Sequence, residues 1–436
     1  MHPEGWVDLT GSIFGIGMLL FFIIGYFFIA MEEKYQINKA KPALFTGTAM
    51  FMLIGVYYAY NGFNMEPLHH NIQHLILEIS EIFFFLFVAM TFIEALIERN
   101  VFEVMKHKLI SRGLTYRQLF WVTGFIAFFL SPVADNLTTA LILATVLVTL
   151  EKNRKDFLIP GAINIVVAAN AGGAWSPFGD ITTLMAWTAG KGLFTDFLFL
   201  FPASILGWLV TAYLLSIFVP TDKPEPSKAD ENPKIHHGGK IIIYLGIFTI
   251  LAAVMGKQIM HLPPMWGMLF GLSILKLYTY QLKRTIKVDI NIFSSVSKIE
   301  HDTLIFFIGI LAAVGALHFL GFLDLAVKLY DIFSPTIVNI GVGFLSAIID
   351  NVPVMSAVLK ANPDLGLDQW MLVTLTAGVG GSLISFGSAA GVGVMGKMHG
   401  IYTFSAHMKY AWTILIGYIV SVLVWYLQYE VLGIYH

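Results

Sequence analysis

The chain has 436 residues, of which 57% are hydrophobic and only 12% charged, with 36 Phe, 17 Tyr and 9 Trp. A soluble domain carries roughly 25% charged residues, so this chain cannot cover a water-facing surface, and its apolar content excludes a disordered chain as well. A net charge of −2 offers no footprint for nucleic acid, and the absence of Cys removes disulfide frameworks and thiolate metal sites.

What remains is a polytopic membrane protein embedded in a lipid bilayer. The first apolar run, near residues 10–30, has no Lys or Arg before it. With a length of about twenty residues it predicts a span rather than a cleaved leader. Runs near 42–60 and 72–97 predict two more spans. Two short apolar pieces follow, Phe120 to Leu130 and Leu137 to Leu150, separated by Ser131-Pro132-Val133-Ala134-Asp135-Asn136. Each piece would make a helix of about 15–20 Å, too short for a hydrocarbon core about 30 Å thick. They predict a re-entrant helical hairpin over about 118–150. A run near 159–190, interrupted by Gly and Pro, and a span near 195–220 complete a first half, residues 1–220.

The polar, Pro-bearing segment 221–240 predicts a cytoplasmic linker. The second half, 241–436, repeats the order: spans near 241–257, 264–280 and 303–322, a hairpin over about 335–360 around Ile349-Asp350-Asn351, an interrupted run near 369–396, and a last span near 409–433. The expected fold class is thus an all-α polytopic membrane protein. It has about ten transmembrane helices, two re-entrant hairpins and two interrupted helices.

The basic residues orient these elements. With both termini outside and both hairpins turning back, Lys191, Lys257, Lys328 and Lys360 fall on the outer side. Every other Lys and Arg falls inside, as the positive-inside bias requires. A first hairpin that crossed fully would instead leave Lys152, Arg154 and Lys155 outside. The halves also share motifs: Phe129-Leu130-Ser131 and Asp135-Asn136 recur, at identical spacing, as Phe344-Leu345-Ser346 and Asp350-Asn351. Likewise Gly172-Gly173 with Phe178-Gly179 recurs as Gly380-Gly381 with Phe386-Gly387. Together with the charge bias this predicts an inverted-topology repeat, whose paired helix breaks point to a transporter's midplane binding site.

Asp135 and Asp350 stand at the hairpin turns, where Asp is a favoured helix cap. Capping needs no charge, however, and an ionisable group at membrane depth is costly enough to suggest function. Asp180 follows the first break, beside Asn170, Thr182 and Thr183. Carbonyls freed by the break complete an all-oxygen set suited to a hard cation. The second break supplies Ser382, Ser385 and Ser388 but no carboxylate. The candidate sodium ligands are therefore Asp135, Asp180 and Asp350. His74, Glu78 and Glu81 read as a vestibule or proton relay, or else as an interfacial polar patch. The tract Gly391–Lys397 imitates a phosphate-binding loop, but Met398 stands where Ser or Thr is required. A buried carboxylate holds either a proton or a sodium ion. A site open alternately to the two sides would exchange them without ATP or any cofactor.

Three tracts carry a resemblance: Ser131-Pro-Val-Ala-Asp135-Asn136-Leu-Thr-Thr, Asn170-Ala-Gly-Gly-Ala-Trp-Ser-Pro-Phe-Gly-Asp180-Ile-Thr182-Thr183, and Ser346-Ala-Ile-Ile-Asp350-Asn351-Val-Pro. Over residues 10 to 433 the chain resembles the NhaD-type sodium/proton antiporters of the ion transporter superfamily. The resemblance implies exchange of Na⁺ or Li⁺ for H⁺ at alkaline pH. It implies ion-transport roles for the positions of Asp135, Asn136, Asn170, Asp180, Thr182, Thr183, Ser346, Asp350, Asn351, Ser385 and Ser388, and weaker ones for His74, Glu81 and Ser131. It further implies a homodimer in a bacterial inner membrane, with a rigid scaffold and a domain that moves as an elevator. Lys191 departs from the pattern, since some relatives carry His in that region. A carboxylate or oxyanion carrier of the same superfamily is the alternative, although Asp at both tips would repel an anion. An intramembrane enzyme is a remote third reading, because no nucleophile–base set stands at membrane depth.

Overall fold

The computed structural model describes residues 5–31, 35, 37–151, 154–224, 233–286 and 301–434, and among them there is helix but no strand. Lys34, Lys152, Lys228, Lys287 and Lys298 of the charge pattern, and residues 225–232 of the expected linker, lie outside the described residues. The first helices are α1 (Ile13–Ala30), α2 (Ala40–Tyr60), α3 (Glu66–Glu98) and the short α4 (Val101–Ile110). Then come α5 (Tyr116–Ala134), α6 (Asn136–Leu150), α7 (Lys155–Ala174), α8 (Ile181–Thr188), α9 (Phe194–Leu198) and α10 (Phe201–Ser216). The second half contributes α11 (Gly239–Met260), α12 (Pro264–Ile286), α13 (His301–Phe319), α14 (Phe322–Ile332), α15 (Pro335–Ile348) and α16 (Asn351–Ala361). It ends with α17 (Leu367–Gly380), α18 (Ala389–Lys397), α19 (Phe404–Met408) and α20 (Ala411–Tyr426).

Among the described residues, eight helices are long and apolar enough to cross a membrane. Large apolar side chains such as Ile13, Tyr60, Tyr244 and Ile332 face outward. In lipid this is no cost, because hydrocarbon is as apolar as the side chains. This is an integral, multi-pass membrane protein.

The helices assort into two groups. In one, α2 packs on α13, α11 on α12, and α3 on both α12 and α13. In the other, α5 packs on α7, α15 on α17, α10 on α20, and α6 on α18. Each group draws on both halves of the chain, so neither half folds as a separate lobe. The most apolar stretch of α7 is 94% buried, against 22% for α11, which puts α7 at the centre of the second group and α11 against lipid. Small residues allow this density. A Cβ on Gly172 would stand 2.3 Å from the Phe128 carbonyl oxygen, and one on Gly380 would stand 2.3 Å from that of Gly343. Real Cβ contacts do not reach this distance, so both backbone crossings require glycine.

The first hairpin differs from the sequence expectation in one arm. Helix α5 runs for 19 residues from Tyr116, rather than starting at Phe120, and is long enough to span. The cause is a capping box: the Thr115 hydroxyl accepts from the Gln118 N–H while the Gln118 side chain accepts from the Thr115 N–H. Pro132 is tolerated in its last turn. The other arms are shorter than a span: α6 has 15 residues, α15 has 14 and α16 has 11. The phosphate-loop lookalike, Gly391–Lys397, is no loop at all and lies within α18.

Candidate functional site

The two breaks and the two hairpin tips meet. Helix α7 stops at Ala174, and the chain turns through Trp175–Gly179 to Asp180, which caps α8 by accepting from the Thr182 N–H at 3.3 Å. Thr183 Oγ1 donates to the Gly173 carbonyl at 3.3 Å and so ties α8 back to the end of α7. Phe178 packs against Phe85 and Trp187 with centroids 5.4 and 5.7 Å away, which holds the break inside the protein. In the second half α17 stops at Gly380, and Ser388 caps α18 through the Gly391 N–H.

Asp180 is the junction. Its Oδ2 accepts from Asn136 Nδ2 at 3.1 Å and from Asn351 Nδ2 at 3.0 Å, one amide from each hairpin tip. Asn136 Nδ2 also reaches Asn170 Oδ1 at 3.0 Å, and Asn170 Nδ2 donates to Ser382 Oγ at 2.8 Å and Ser388 Oγ at 2.9 Å. One continuous polar network thus joins both tips and both breaks, and each of its members is buried. Thr182 Oγ1 and Ser385 Oγ are buried as well, without a hydrogen-bond partner among the described residues. A buried hydroxyl left so is costly and is suited to an ion or water.

The tip aspartates cap their helices, as the sequence allows, but do not converge with Asp180. Asp135 accepts from the Thr138 N–H and hydroxyl, both at 2.8 Å, and Asp350 accepts from the Val352 N–H at 3.4 Å. Each turns back onto the first turn of its own helix, as N-cap geometry dictates. Asp135 adopts a positive φ of 58°, a sparsely populated conformation that clusters at functional sites. Consequently the three carboxylates do not form one cage. Among the described residues no three acidic, His or Cys side chains converge as a metal site would require. The set at the junction is one carboxylate with amides and hydroxyls, while Asp135 and Asp350 flank it closely enough to act on Asp180 electrostatically.

The serines that close the tips are structural in their contacts. Ser131 Oγ donates to the Ala169 carbonyl at 2.6 Å, and Ser346 Oγ donates to that of Ala377 at 2.6 Å, the same contact in each half. His74, Glu78 and Glu81 lie on α3, outside the network. Glu78 pairs with Lys360 at 2.5 Å, and Glu81 feels Lys257, Glu78 and His74 electrostatically. Lys257 itself donates to the Trp187 and Thr188 carbonyls at the end of α8. Beyond the spans, Lys191 bonds Asn362 and sits 4.4 Å over the Trp370 ring; partial burial pushes its ammonium below the ordinary lysine value.

Two site neighbours escape a reading of the sequence. Lys39, which lies 3.4 Å from Asp350, looks like one more inner-face positive charge. Tyr26, whose hydroxyl accepts from the Asp350 N–H at 2.9 Å, looks like one more aromatic of α1. Neither carries a local signal, because the partner lies in the other half of the chain.

A family profile described as "Citrate transporter" (CitMHS) matches residues 26–378. The Na(+)/H(+) antiporter NhaD of Vibrio cholerae is 43% identical over 447 aligned positions, covering 96% of this chain and 93% of that protein. The protein of the same name from Alkalimonas amylolytica is 42% identical, with 96% and 91% covered. Sodium/proton antiporter 1 of Arabidopsis thaliana is 31% identical, with 90% and 68% covered. The chain belongs to the citrate-transporter family, and within it to the NhaD-type sodium/proton antiporters.

Proposed function

We propose that the protein exchanges sodium or lithium ions for protons across a bacterial inner membrane, with the two ions competing at Asp180. The observation that carries this reading is the Asp180 carboxylate, which is buried and held by one amide from each hairpin tip. A single buried carboxylate, with the Thr182 hydroxyl two residues on and unpartnered among the described residues, favours a small hard cation, and protonation cancels the charge that attracts it. Asp135 and Asp350, with Asn136, Asn170, Asn351, Thr182, Thr183, Ser385 and Ser388, complete the region through which the ions pass. The relatives' names point the same way.

Alternating access in this reading comes from relative movement of the two helix groups. Helices α5–α8 and α15–α18 carry the junction, whereas α1–α3 and α11–α13 form the frame, and the resemblance adds a homodimer. Acids beside the junction disfavour the carboxylate carriers that the family description names.

Reconstituted vesicles loaded with a pH-sensitive dye test the exchange. Added Na⁺ dequenches the dye, citrate does not, and Asp180→Asn abolishes the sodium response while eluting as folded protein in size exclusion. A sodium response that survives Asp180→Asn overturns the assignment, and a response to citrate alone would favour the anion carrier.

A further inference from the structure

Asp350 already has a cation. Lys39 Nζ lies 3.4 Å from its Oδ2, with the two side chains 15% and 7% exposed. The ammonium also sits 4.3 Å over the Phe306 ring of α13. The turn that carries Lys39 is itself anchored, since Asn38 Nδ2 donates to Asp302 Oδ2 at 2.6 Å and Asn38 Oδ1 accepts from the Ala40 N–H at 2.9 Å. Lys39 therefore belongs to the α2–α13 group, whereas Asp350 belongs to the tip of the second hairpin. The next residue of that tip, Asn351, donates to Asp180. One tip thus links a fixed lysine on one side to the junction carboxylate on the other.

We infer that Lys39 is an internal counter-ion that holds Asp350 while the site lacks sodium, and that a sodium ion passing Asp350 on its way to Asp180 displaces it. This rests on the proposed sodium site and names a positioning residue for it. The argument is one of charge and place. An ammonium is a compact unit charge with three donors, the closest match a protein offers to a small cation at a carboxylate. Two such charges at one carboxylate largely out of water repel strongly, so sodium and the ammonium compete there. The ion pair bridges the two helix groups beside the hydrogen bond from the Asp350 N–H to the Tyr26 hydroxyl, so its release removes the charged one of these two ties on the α16 tip at the moment the cation arrives.

The test uses the full chain in dye-loaded vesicles at fixed pH, comparing the sodium half-saturation and maximal rate of Lys39→Met, Lys39→Arg, Asp350→Asn and the unaltered protein. Met keeps the stem over Phe306 and removes only the charge. Lys39→Met is expected to lower the sodium half-saturation by about threefold or more, the scale of one ion pair at the margin of a protein interior. Its maximal rate falls at the same time, and Lys39→Arg returns the half-saturation toward the unaltered value. An unchanged half-saturation in Lys39→Met, with only rate or folded yield reduced, makes the lysine structural and overturns the inference. Should Lys39→Met not accumulate as folded protein, Lys39→Gln with ²²Na⁺ binding to the purified protein gives the same reading, tighter binding supporting displacement and unchanged binding refuting it. Asp350→Asn separates the two levels: exchange that persists in it with an unchanged sodium half-saturation takes Asp350 off the ion path and overturns the inference about Lys39, whereas the proposed function stands or falls with Asp180→Asn.

Discussion

A carboxylate offers about four lone-pair positions, and at Asp180 two are met by amides arriving from opposite ends of the chain, Asn136 and Asn351. The sequence makes acids conspicuous, and Asp135 and Asp350 stand out most. Yet a side chain at an N-cap is committed to the first turn of its own helix. The residue after it is the one whose side chain is available to reach across. That is why the amides, and not their acidic neighbours, meet the junction, and no local pattern in the sequence discloses it. Removing either amide takes a hydrogen bond from a buried charged group, an interaction worth about 1.5–3 kcal/mol. Asn136→Ala and Asn351→Ala should therefore each weaken apparent sodium affinity by about tenfold or more. Asn170→Ala, which reaches Asp180 only through Asn136, should do less. Sodium half-saturation in vesicles measures all three, and equal losses for Asn170 and Asn136 would refute the ordering.

At the scale of elements, two matched crossings hold the hairpins to the interrupted helices. Gly172 abuts Phe128 in the first half and Gly380 abuts Gly343 in the second. Beside them Ser131 and Ser346 make the same 2.6 Å hydrogen bond to the facing helix. Overpacking a close contact costs about 1–3 kcal/mol. Gly172→Ala and Gly380→Ala should each lower the apparent melting temperature of the detergent-purified protein and reduce exchange in vesicles. An alanine at either position that leaves both unchanged would show that the crossing tolerates a Cβ. These glycines were legible in the sequence as repeated helix breakers, and so was the cap role of the tip aspartates. The early start of α5 was written there too, as Thr115 and Gln118, but hydropathy dominates the reading of such a stretch and hides a polar cap. The Lys39–Asp350 pair was not legible at all: its partners are 311 residues apart in the chain, and packing of both α2 and α16 on α13 brings them together.

For the whole molecule, the inner-face and outer-face assignment of the hairpins rests on charge bias and can be tested directly. The chain has no Cys, so single cysteines report without background. Ser111→Cys and Asp156→Cys flank the first hairpin, and Ser334→Cys and Asn362→Cys flank the second. A membrane-impermeant maleimide on intact cells should label the last two and spare the first two until the membrane is opened. Opposite labelling within either pair would mean that the hairpin crosses. Equal labelling of all four would mean that the halves share one orientation.

Asp180 and Ser388 cap the second parts of their interrupted helices, each just after the matched Phe-Gly dipeptide of its half. They occupy matching positions of a repeated sequence motif, yet one carries an acid and the other an alcohol. A molecule that kept the acid in both copies would face two charges across a short gap and need twice the neutralisation at every turnover. One that kept it in neither would have no charge to neutralise. Keeping it once makes the halves unequal partners: the first supplies the charge, and the second supplies Asn351 to hold it and Ser388 to hold Asn170. The motif occurs twice, but the carboxylate at the junction of tips and breaks is carried by the first half alone.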